Sequence, residues 1–458
     1  MSSQAAIFRG PSYAEYLDAD SRDVPAFLYP PDAPYEPGGS THIAPQRYTS
    51  QEFFERERVL LWPRVWQMAC REEELARPGD VVIYDIVDWS FIITRSEDGQ
   101  LRGFYNSCPH RGRKLLTSER HVEQIRCGFH GFTWETDGTL RSLPCAWDFP
   151  GATPANWRLR EVQLATWGGF VFLNMDPRAR PLTEYLDVLP QHFARWRLED
   201  CWKAAHVAKR IDCNWKVAQE AFMESFHVIA THPQILEIIA DANAQYDLLG
   251  KHVNRNMAAF GASSPHLGED AVEPQRIVSQ MLTLMRGGRG SDRQVERMSD
   301  ARRTLAQINR KAFQRAYDCD FENATDAELL DAIVYNVFPN FSPWGGFAPN
   351  IIYRWRPDGA RVDSCLMEVM LLKRLPRSGG RPAPAPVHWL SEAESWSSAS
   401  ELPVLGAVID QDMLNMPEVQ KGLRGAPERE LRLALYQESR IRHFHSTLDL
   451  YLQAGAPG

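Results

Sequence analysis

Alternation of apolar and polar residues predicts strands near the start of the chain. The segments GDVVIYDI, SFIITRSEDGQLRGFYN and CGFHGFTWETDGTLRSL alternate with a period of about two residues. The pairs Asp98-Gly99 and Asp137-Gly138 are typical of hairpin turns. Ahead of these strands, SQEFFERERVLLW has helical periodicity, with Ser50 as its N-cap. Residues 46–165 are therefore predicted to form a small β-rich domain.

The pattern on either side of this domain predicts an arm and a mixed α+β domain. Residues 1–45 are rich in Pro, Asp and Ser, which predicts an extended arm. Within residues 166–458, NWKVAQEAFMESFHVIATHP and the C-terminal segment are predicted to be helical. The region 240–330 is polar and gives a poor functional signal, and GGRGSD within it is predicted to be a mobile loop. Strands are predicted in CWKAAHVAKRID, VYNVFPNFSPW, NIIYRWRPDG and RVDSCLMEVMLLKR.

Size, charge and the N-terminal sequence narrow the class of protein. The 458 residues, 44% of them hydrophobic, are enough for two or three domains with ordinary cores. The 51 basic and 59 acidic residues are dispersed and give a net charge of -8, which argues against nucleic acid and anionic membranes as partners. MSSQAAIFRGPSYAEYLDAD lacks the features of a signal peptide, and no apolar run approaches a membrane span, so we expect a cytoplasmic protein.

The eight cysteines are too sparse in so long a chain to indicate a disulfide framework. Two of them belong to the motif described next. The other six are expected to be inert, buried residues: Cys70, Cys145, Cys201, Cys213, Cys319 and Cys365.

Two cysteines and two histidines form a candidate metal site in NSCPHRGRKLLTSERHVEQIRCGFHGFTW. Cys108, His110, Cys127 and His130 have the spacing C-x-H-x16-C-x2-H and are predicted to lie on two loop tips. Adjacent glycines allow backbone N–H groups to approach the sulfur atoms. A Cys2His2 zinc site is one interpretation, but zinc fingers usually pair Cys with Cys and His with His. Mixed pairs fit a Rieske [2Fe–2S] cluster, in which one iron takes both thiolates and the other takes both imidazoles.

The sequence CPHRG followed by C-x2-HG resembles the Rieske domain of the ring-hydroxylating oxygenase large (alpha) subunits. The resemblance implies that Cys108 and Cys127 bind the iron remote from the oxygenation site, and that His110 and His130 bind the nearer iron. The family usually has C-P-Y-H-G-W at the second pair, whereas this chain has CGFHGF, which keeps the aromatic character. For the second domain the resemblance implies an antiparallel sheet flanked by helices, of the helix-grip, START-like type.

A second candidate metal site lies in EAFMESFHVIATHP. Glu220, Glu224 and His227 fall on one face of the predicted helix, whereas His232 would be rotated about 140° from His227 in an ideal helix. Pro233 is predicted to break the helix and to let His232 approach His227. Two histidines alone are weak evidence, but with a carboxylate they make the facial triad of non-haem iron(II) oxygenases.

The motif N-W-K-x3-E-x-F-x-E-x-F-H-x4-H resembles the catalytic-domain signature of the same family. The family's third ligand is a distant Asp before a short spacer that ends in Asn, which Asp412 and Asn415 match. The alternative is that Asp410 and Asp412 merely cap the helix that follows them. The resemblance also implies that Glu224 carries electrons between His130 of one subunit and His227 of the next, across a head-to-tail homotrimer. The alternative for Glu224 is a solvated acid on a helix face.

The family implies an oxygenase that inserts oxygen from O2 into an aromatic or hydrophobic substrate by ring dihydroxylation, as in aromatic hydrocarbon catabolism. A monooxygenase or oxidative demethylase of the same family is the alternative, and Glu224 favours it slightly. A non-catalytic Rieske electron carrier and a zinc-stabilised binding protein are alternatives from other classes. Candidates for the substrate pocket are Phe222, Met223, Val334, Phe338, Phe341, Trp344 and Val408.

The source of electrons is expected to be another protein. No G-x-G-x-x-G motif follows a strand at the start of a helix, so the chain is not expected to bind NAD(P)H itself. The resemblance implies a separate NAD(P)H reductase, with or without an intervening ferredoxin, and a homotrimer with or without a small beta subunit. The expected cofactors are therefore a [2Fe–2S] Rieske cluster and a mononuclear Fe(II).

Overall fold

The computed structural model describes residues 9–31, 39–118, 120–286, 295–347, 350–427 and 430–453. Within these ranges, helices and antiparallel sheets are combined, which confirms the predicted α+β class. The segment GGRGSD, predicted to be a mobile loop, lies outside the described residues.

The N-terminal arm contains more regular structure than predicted. A helix forms in it because the side chain of Ser12 accepts from Glu15 N and the Glu15 carboxylate accepts from Ser12 N. The predicted N-cap at Ser50 is confirmed, since Phe53 N donates to Ser50 Oγ at 3.2 Å. The elements are α1 (Tyr13–Asp18), β1 (His42–Ile43), α2 (Gln46–Thr49) and α3 (Gln51–Leu60).

The β-rich domain predicted after the arm is present. In the described part of the chain, seven strands form a sheet in the order β2-β11-β10-β5-β4-β3-β6, and β7, β8 and β9 form a smaller one. Gly99 and Gly138 adopt φ of 79° and 81°, as the two predicted hairpin turns require. The strands are β2 (Gln67–Arg71), β3 (Asp80–Ile86), β4 (Trp89–Arg95), β5 (Leu101–Tyr105), β6 (Arg120–His121), β7 (Ile125–Arg126), β8 (Thr133–Trp134), β9 (Leu140–Ser142), β10 (Glu161–Trp167) and β11 (Phe170–Asn174).

The remaining chain is built on a larger sheet. Eight strands of the described residues pair in the order β13-β14-β15-β16-β17-β18-β12-β19, and the strands predicted in this region are confirmed. The helices are α4 (Leu182–Tyr185), α5 (Leu189–Phe193), α6 (Trp215–Glu220), α7 (Val228–Thr231), α8 (Pro274–Arg286), α9 (Met298–Tyr317), α10 (Asp326–Leu330), α11 (Leu405–Gly425) and α12 (Ser439–Gln453). The strands are β12 (Cys201–Ile211), β13 (Ile239–Leu248), β14 (Val253–Phe260), β15 (Ala332–Val337), β16 (Phe341–Pro343), β17 (Asn350–Asp358), β18 (Arg361–Arg374), β19 (His388–Leu390) and β20 (Leu431–Arg432).

The domain boundaries differ from those in the sequence analysis. Residue 165 falls inside β10, and the sheet continues through β11 to Asn174. Helices α2 and α3 pack mainly against α11, α12 and β18, although Arg58 of α3 also pairs with Asp88 between β3 and β4 at 3.7 Å. Strand β1 pairs with β20, which places the arm on the larger domain as well. We therefore propose that the β-rich domain spans residues 67–174.

Aromatic side chains join the two sheets. The ring of Phe341 in β16 lies 5.1 Å from that of Phe170 and 5.5 Å from that of Phe172, both in β11. Arg354 in β17 donates to the carbonyl oxygens of Met68 and Ala69 in β2, at 3.0 and 2.6 Å. Because all three phenylalanines are buried, this contact is a continuous apolar core between the domains.

The cysteines outside the motif are mostly buried, as expected, but two depart from the prediction. Cys145 is exposed because it lies on a surface turn, at φ 55°, and Cys319 is only partly buried. Across the described ranges, no helix combines the length and apolar character needed to cross a lipid bilayer.

We expect Phe341→Ala to weaken the contact between the domains. Removal of this buried ring leaves a cavity against Phe170 and Phe172 and should cost about 3–5 kcal/mol of unfolding free energy. Urea denaturation followed by tryptophan fluorescence measures the loss. Val59→Ala, at a residue 54% exposed, is the control and should change stability by less than about 0.5 kcal/mol. A loss of less than about 1 kcal/mol for Phe341→Ala would show that the domains do not share a core.

Candidate metal centres

The first Cys/His pair lies in the loop after β5, and the second lies in the loop between β7 and β8. Asn106 stabilises the first loop, because its Oδ1 accepts from Leu115 N and Leu116 N, each at 2.9 Å. In the second loop, Cys127 N donates to Phe132 O at 2.8 Å. Both pairs therefore sit at the ends of short strands, as predicted.

The four side chains come together with the sulfur atoms inside and the imidazoles outside. Cys108 and Cys127 are buried, whereas His110 is half-buried and His130 is exposed. The rings of His110 and His130 lie 4.7 Å apart, and His110 Nδ1 is buried without a hydrogen-bond partner in the described chain. An unpartnered nitrogen beside a second imidazole and two thiols fits a cluster bound by two sulfur and two nitrogen atoms.

Backbone amides also point at one of the sulfur atoms. Burial raises the pKa of the Cys108 thiol above its ordinary value, whereas hydrogen bonds from the N–H groups of His110 and Arg111 oppose that rise. The neighbouring Cys127 raises this pKa further. Amides in this position can donate to a thiolate sulfur and tune the potential of a bound cluster.

The second centre is built on an interrupted helix. Helix α6 ends at Glu220, a turn carries Glu224, and α7 begins after His227. The second histidine follows α7 at φ -125° and ψ 51°, before Pro233, so the predicted break at His232 is confirmed.

Two imidazole nitrogens and one carboxylate oxygen converge at this break. Asp412 Oδ1 lies 3.1 Å from His232 Nε2 and 3.7 Å from His227 Nε2. The candidate ligand atoms of these three residues all lie within 4.8 Å of one another. Asp412 lies on α11, far along the chain from the two histidines. The structure thus brings together the three residues proposed from the sequence as iron ligands.

Each histidine is oriented through its other ring nitrogen. His227 Nδ1 lies 2.8 Å from Glu224 Oε1, and His232 Nδ1 lies 2.8 Å from Gln411 Oε1. Because a carboxylate or amide oxygen only accepts, each Nδ1 donates its proton there, and each Nε2 faces the point that it shares with Asp412, where a bound cation would take its lone pair. Two neutral imidazoles and a carboxylate, facing one point, suit a divalent cation.

The charge around His227 is predominantly negative. Burial lowers the pKa of His227, but the hydrogen bond that His227 donates to Glu224 and the charges of Glu224, Asp412 and Asp241 more than offset this, so the pKa is raised. Three carboxylates around one imidazole attract a cation electrostatically.

One expectation about this segment is wrong. Glu220 and Glu224 do not share a helix face with His227, since the helix ends at Glu220, and Glu220 instead accepts from Tyr48 Oη. After α6 the chain turns, and Phe226 and Ile229 beyond the turn are exposed by 48% and 41%.

The alternative that Asp410 and Asp412 cap the start of a following helix is also wrong. Asp410 and Asp412 lie inside α11 rather than at its start. Asp410 instead accepts from the backbone N–H groups of Trp396 and Ser397, at 2.6 and 3.0 Å. It therefore caps a short neighbouring turn, which leaves Asp412 for the metal centre.

The proposed pocket residues divide into two groups. Phe341 packs against the β-rich domain, and Phe338 packs against Phe444 and Tyr451, so we withdraw both from the pocket. Five residues remain candidates because they lie near the second metal centre. They lie in the turn between α6 and α7, on α11, or on the strands that pack beside α7: Phe222, Met223, Val334, Trp344 and Val408.

Four residues that position or surround the site were not found from the sequence. Tyr246 Oη accepts from Ser225 N at 3.0 Å, and Arg440 donates to Met223 O at 2.9 Å, so both hold the turn that carries Glu224. Gln411 and Asp241 are the others. The sequence did contain a signal for each of these two residues. Gln411 directly precedes the candidate ligand, and Asp241 is a lone charge in the apolar run IIADA.

Comparison with protein families agrees with this geometry. A family model described as "Ring hydroxylating alpha subunit (catalytic domain)" matches residues 190–454, and one described as "Rieske [2Fe-2S] domain" matches residues 65–153. The chain belongs to the ring-hydroxylating alpha-subunit family. The cofactors of this family are a Rieske [2Fe–2S] cluster and a mononuclear iron.

Sequence relatives of this ring-hydroxylating alpha subunit include monooxygenases and dioxygenases. It is 31% identical over 212 residues to the carnitine monooxygenase oxygenase subunit of Escherichia coli (strain K12), covering 46% of this chain and 57% of that one. It is 27% identical over 212 residues to the biphenyl 2,3-dioxygenase subunit alpha of Rhodococcus jostii (strain RHA1), covering 45% and 46%. The matched region thus spans about half the length of these relatives.

Solved structures share the fold over most of the chain. A quaternary ammonium Rieske monooxygenase in complex with L-carnitine superimposes with a TM-score of 0.64, at 18% identity, over 91% of this chain and 97% of that one. Naphthalene 1,2-dioxygenase with indole bound gives a TM-score of 0.63, at 16% identity, over 91% and 94%.

We expect Gln411→Leu to weaken metal binding at the second centre. Without the acceptor at Nδ1, the His232 ring loses its fixed tautomer and orientation, which should lower Fe(II) affinity on the order of 10–100-fold. Anaerobic titration with Fe(II) measures the affinity. Asn415→Ala is the control, because Asn415 lies on α11 with Gln411 but donates to Thr231 Oγ1 of α7 and to neither histidine. Unchanged affinity in Gln411→Leu would mean that Gln411 does not orient His232.

Proposed function

We propose that the chain is the oxygenase component of a Rieske non-haem iron system and inserts oxygen from O2 into a small organic substrate. The observation that carries the proposal is the convergence of His227, His232 and Asp412 in a chain that also has a Rieske domain. Two imidazoles and a carboxylate leave coordination positions open on iron(II). A stand-alone Rieske electron carrier or a zinc-stabilised binding protein would have no use for this second centre.

In this proposal, the cluster is held by Cys108, His110, Cys127 and His130, and Fe(II) by His227, His232 and Asp412. When bound, the cluster supplies single electrons and the iron(II) supplies a site for the activation of dioxygen. The protein's part is orientation. Glu224 and Gln411 keep the Nδ1 protons in place, so that both Nε2 atoms remain ligands.

Electron transfer is proposed to run between subunits of a head-to-tail homotrimer. Glu224 already accepts from His227 Nδ1, and its side chain is 10% exposed. Exposed Phe226 and Ile229 flank this point, while exposed Phe129 lies beside His130 at the tip of the Rieske domain. Two apolar surfaces, each next to one metal centre, are suited to form one heterologous contact. Glu224 would then link His227 to His130 of the partner subunit.

The reaction is proposed to be ring dihydroxylation, with electrons from an NAD(P)H reductase, delivered directly or through a ferredoxin, and with or without a beta subunit. Monooxygenation or oxidative demethylation is the second candidate. Glu224 and the similarity to the carnitine monooxygenase oxygenase subunit favour this second candidate. Turnover of candidate substrates under ¹⁸O2 with a surrogate reductase tests both, since the product mass reports one or two incorporated oxygen atoms.

We expect His227→Ala and Glu224→Ala to separate metal binding from electron transfer. His227→Ala should lose the mononuclear iron and all oxygenation while keeping the visible absorption of the cluster. Glu224→Ala should weaken binding of the mononuclear iron, as Gln411→Leu does, but with Fe(II) supplied in excess it should hold both types of iron, by metal analysis. It should still lose turnover by a factor of about 100 or more, as expected when a positioned proton or electron partner is removed. Normal turnover in Glu224→Ala would contradict the proposed relay.

Mixed oligomers test whether the relay crosses a subunit interface. We expect Cys108→Ser, which lacks the cluster, and His227→Ala, which lacks the iron, each to be inactive alone. Hybrids from co-expression with two different tags should regain turnover, because a cluster in one subunit can serve an iron in the next. Separately purified variants, combined without co-expression, are the control. Inactive hybrids that retain both metals would place the relay within one subunit.

A further inference from the structure

Asp241 in β13 is a buried carboxylate without a partner. Its side chain is 0% exposed, and neither Oδ1 nor Oδ2 has a hydrogen-bond partner in the described part of the protein. Other buried acids of this domain are paired with arginine: Asp247 with Arg255, Asp331 with Arg302. Burying an unpaired carboxylate costs several kcal/mol, so a group of this kind requires a structural or functional explanation, of which a bound ligand is one.

The position of Asp241 in the strand directs it toward the metal segment. Ile239, two residues earlier, packs in one apolar cluster with Val228 of α7. The pairing of β13 becomes irregular directly after this point, which places Asp241 in a bulge, and Ala244 at the end of the bulge packs in the same cluster. Consistent with this position, the negative charge of Asp241 contributes to the raised pKa of His227.

The sheet face that packs in this apolar cluster carries two more unsatisfied polar groups. Tyr246, Asn256, Val334 and Trp344 are consecutive cross-strand neighbours, and Tyr246 Oη contacts Ser225 N in the metal segment. Asn256 Nδ2 and Trp344 Nε1 are buried donors without partners among the described residues. Beside the metal segment, an otherwise apolar cluster therefore contains a carboxylate and two donors.

We propose that Asp241 binds a protonated nitrogen of the substrate, so that the substrate is a hydrophobic molecule with an N–H-bearing cationic group. This inference rests on the proposed function, because it takes the space beside the iron ligands as the substrate site. Two carboxylate oxygens without partners require donors as well as positive charge. A protonated amine supplies both, a quaternary ammonium supplies only charge, and a hydrocarbon supplies neither. Asn256 Nδ2 and Trp344 Nε1 are suited to an acceptor elsewhere on the same molecule.

Binding of three probes of similar shape tests this specificity. The probes are N,N-dimethylbenzylamine, which is protonated at neutral pH, benzyltrimethylammonium, and the neutral isostere isobutylbenzene. Their dissociation constants are measured by calorimetry on the metal-loaded protein, without dioxygen or reductase. We expect the amine to bind on the order of 10–100-fold more tightly than isobutylbenzene, with the quaternary cation in between.

Asp241→Asn assigns the preference to this residue. It should bring the amine and isobutylbenzene to within about threefold of one another, since a neutral amide forms only ordinary hydrogen bonds. With Fe(II) supplied in excess, the cluster absorption and iron content should not change, and the thermal midpoint without ligand should rise by a few degrees as an unpaired charge is removed. Asp88→Asn is the matched control, because it removes one negative charge at a side chain 59% exposed and should leave all three constants unchanged.

The outcomes are distinct. Equal binding of the amine and isobutylbenzene by the unmodified protein overturns the proposal, even if Asp241→Asn fails to fold. Equal binding of the amine and the quaternary cation overturns the requirement for N–H, and an undiminished preference in Asp241→Asn overturns the assignment to Asp241. Because binding is measured without turnover, a protein that prefers the amine but never oxygenates refutes the proposed function alone. An oxygenase that accepts only neutral hydrocarbons refutes this inference alone.

Discussion

Two imidazoles share one ion most effectively when hydrogen bonds from their second nitrogens fix the orientation of both rings. Here Glu224 and Gln411 accept those hydrogen bonds, at 2.8 Å each, and neither hydrogen bond is made within one regular α-helix. Glu224 reaches His227 because the chain turns after α6, and Gln411 reaches His232 because α11 passes beside α7. The metal centre therefore depends on an interruption in a helix and on a contact between segments distant in sequence.

The turn between α6 and α7 is held from several directions. Arg440 of α12 donates to Met223 O, and Tyr246 of β13 accepts from Ser225 N. The guanidinium of Arg440 is fully buried, and burial lowers its pKa to about 9. Buried polar groups of this domain thus fix the position of a few backbone atoms. Such precision is needed because a fraction of an ångström decides whether three ligands can meet.

Much of the fold, and the residues that converge at the two candidate centres, could be predicted from the sequence. Strand alternation and hairpin turns are local signals, and the candidate ligands occur at characteristic spacings, so Cys108 and His227 could be proposed without coordinates. What failed depended on tertiary contacts. Glu220 and Glu224 have helical spacing, yet packing ends α6 between them. Strand alternation predicts that Phe341 faces inward, but it does not show whether the ring lines a pocket or contacts the other domain. In the structure the ring packs between the domains.

The pairing of β1 with β20 supports the proposal that the β-rich domain, residues 67–174, is inserted into the larger domain and is not the first of two consecutive modules. The segments that precede it, α1 to α3, are attached to the same body as α11 and α12. Chimaeras that exchange the amino-terminal half of this chain with that of another oxygenase would therefore cut through one folding body. Exchange of residues 67–174 alone would respect the architecture, so the natural unit of recombination in this protein is internal.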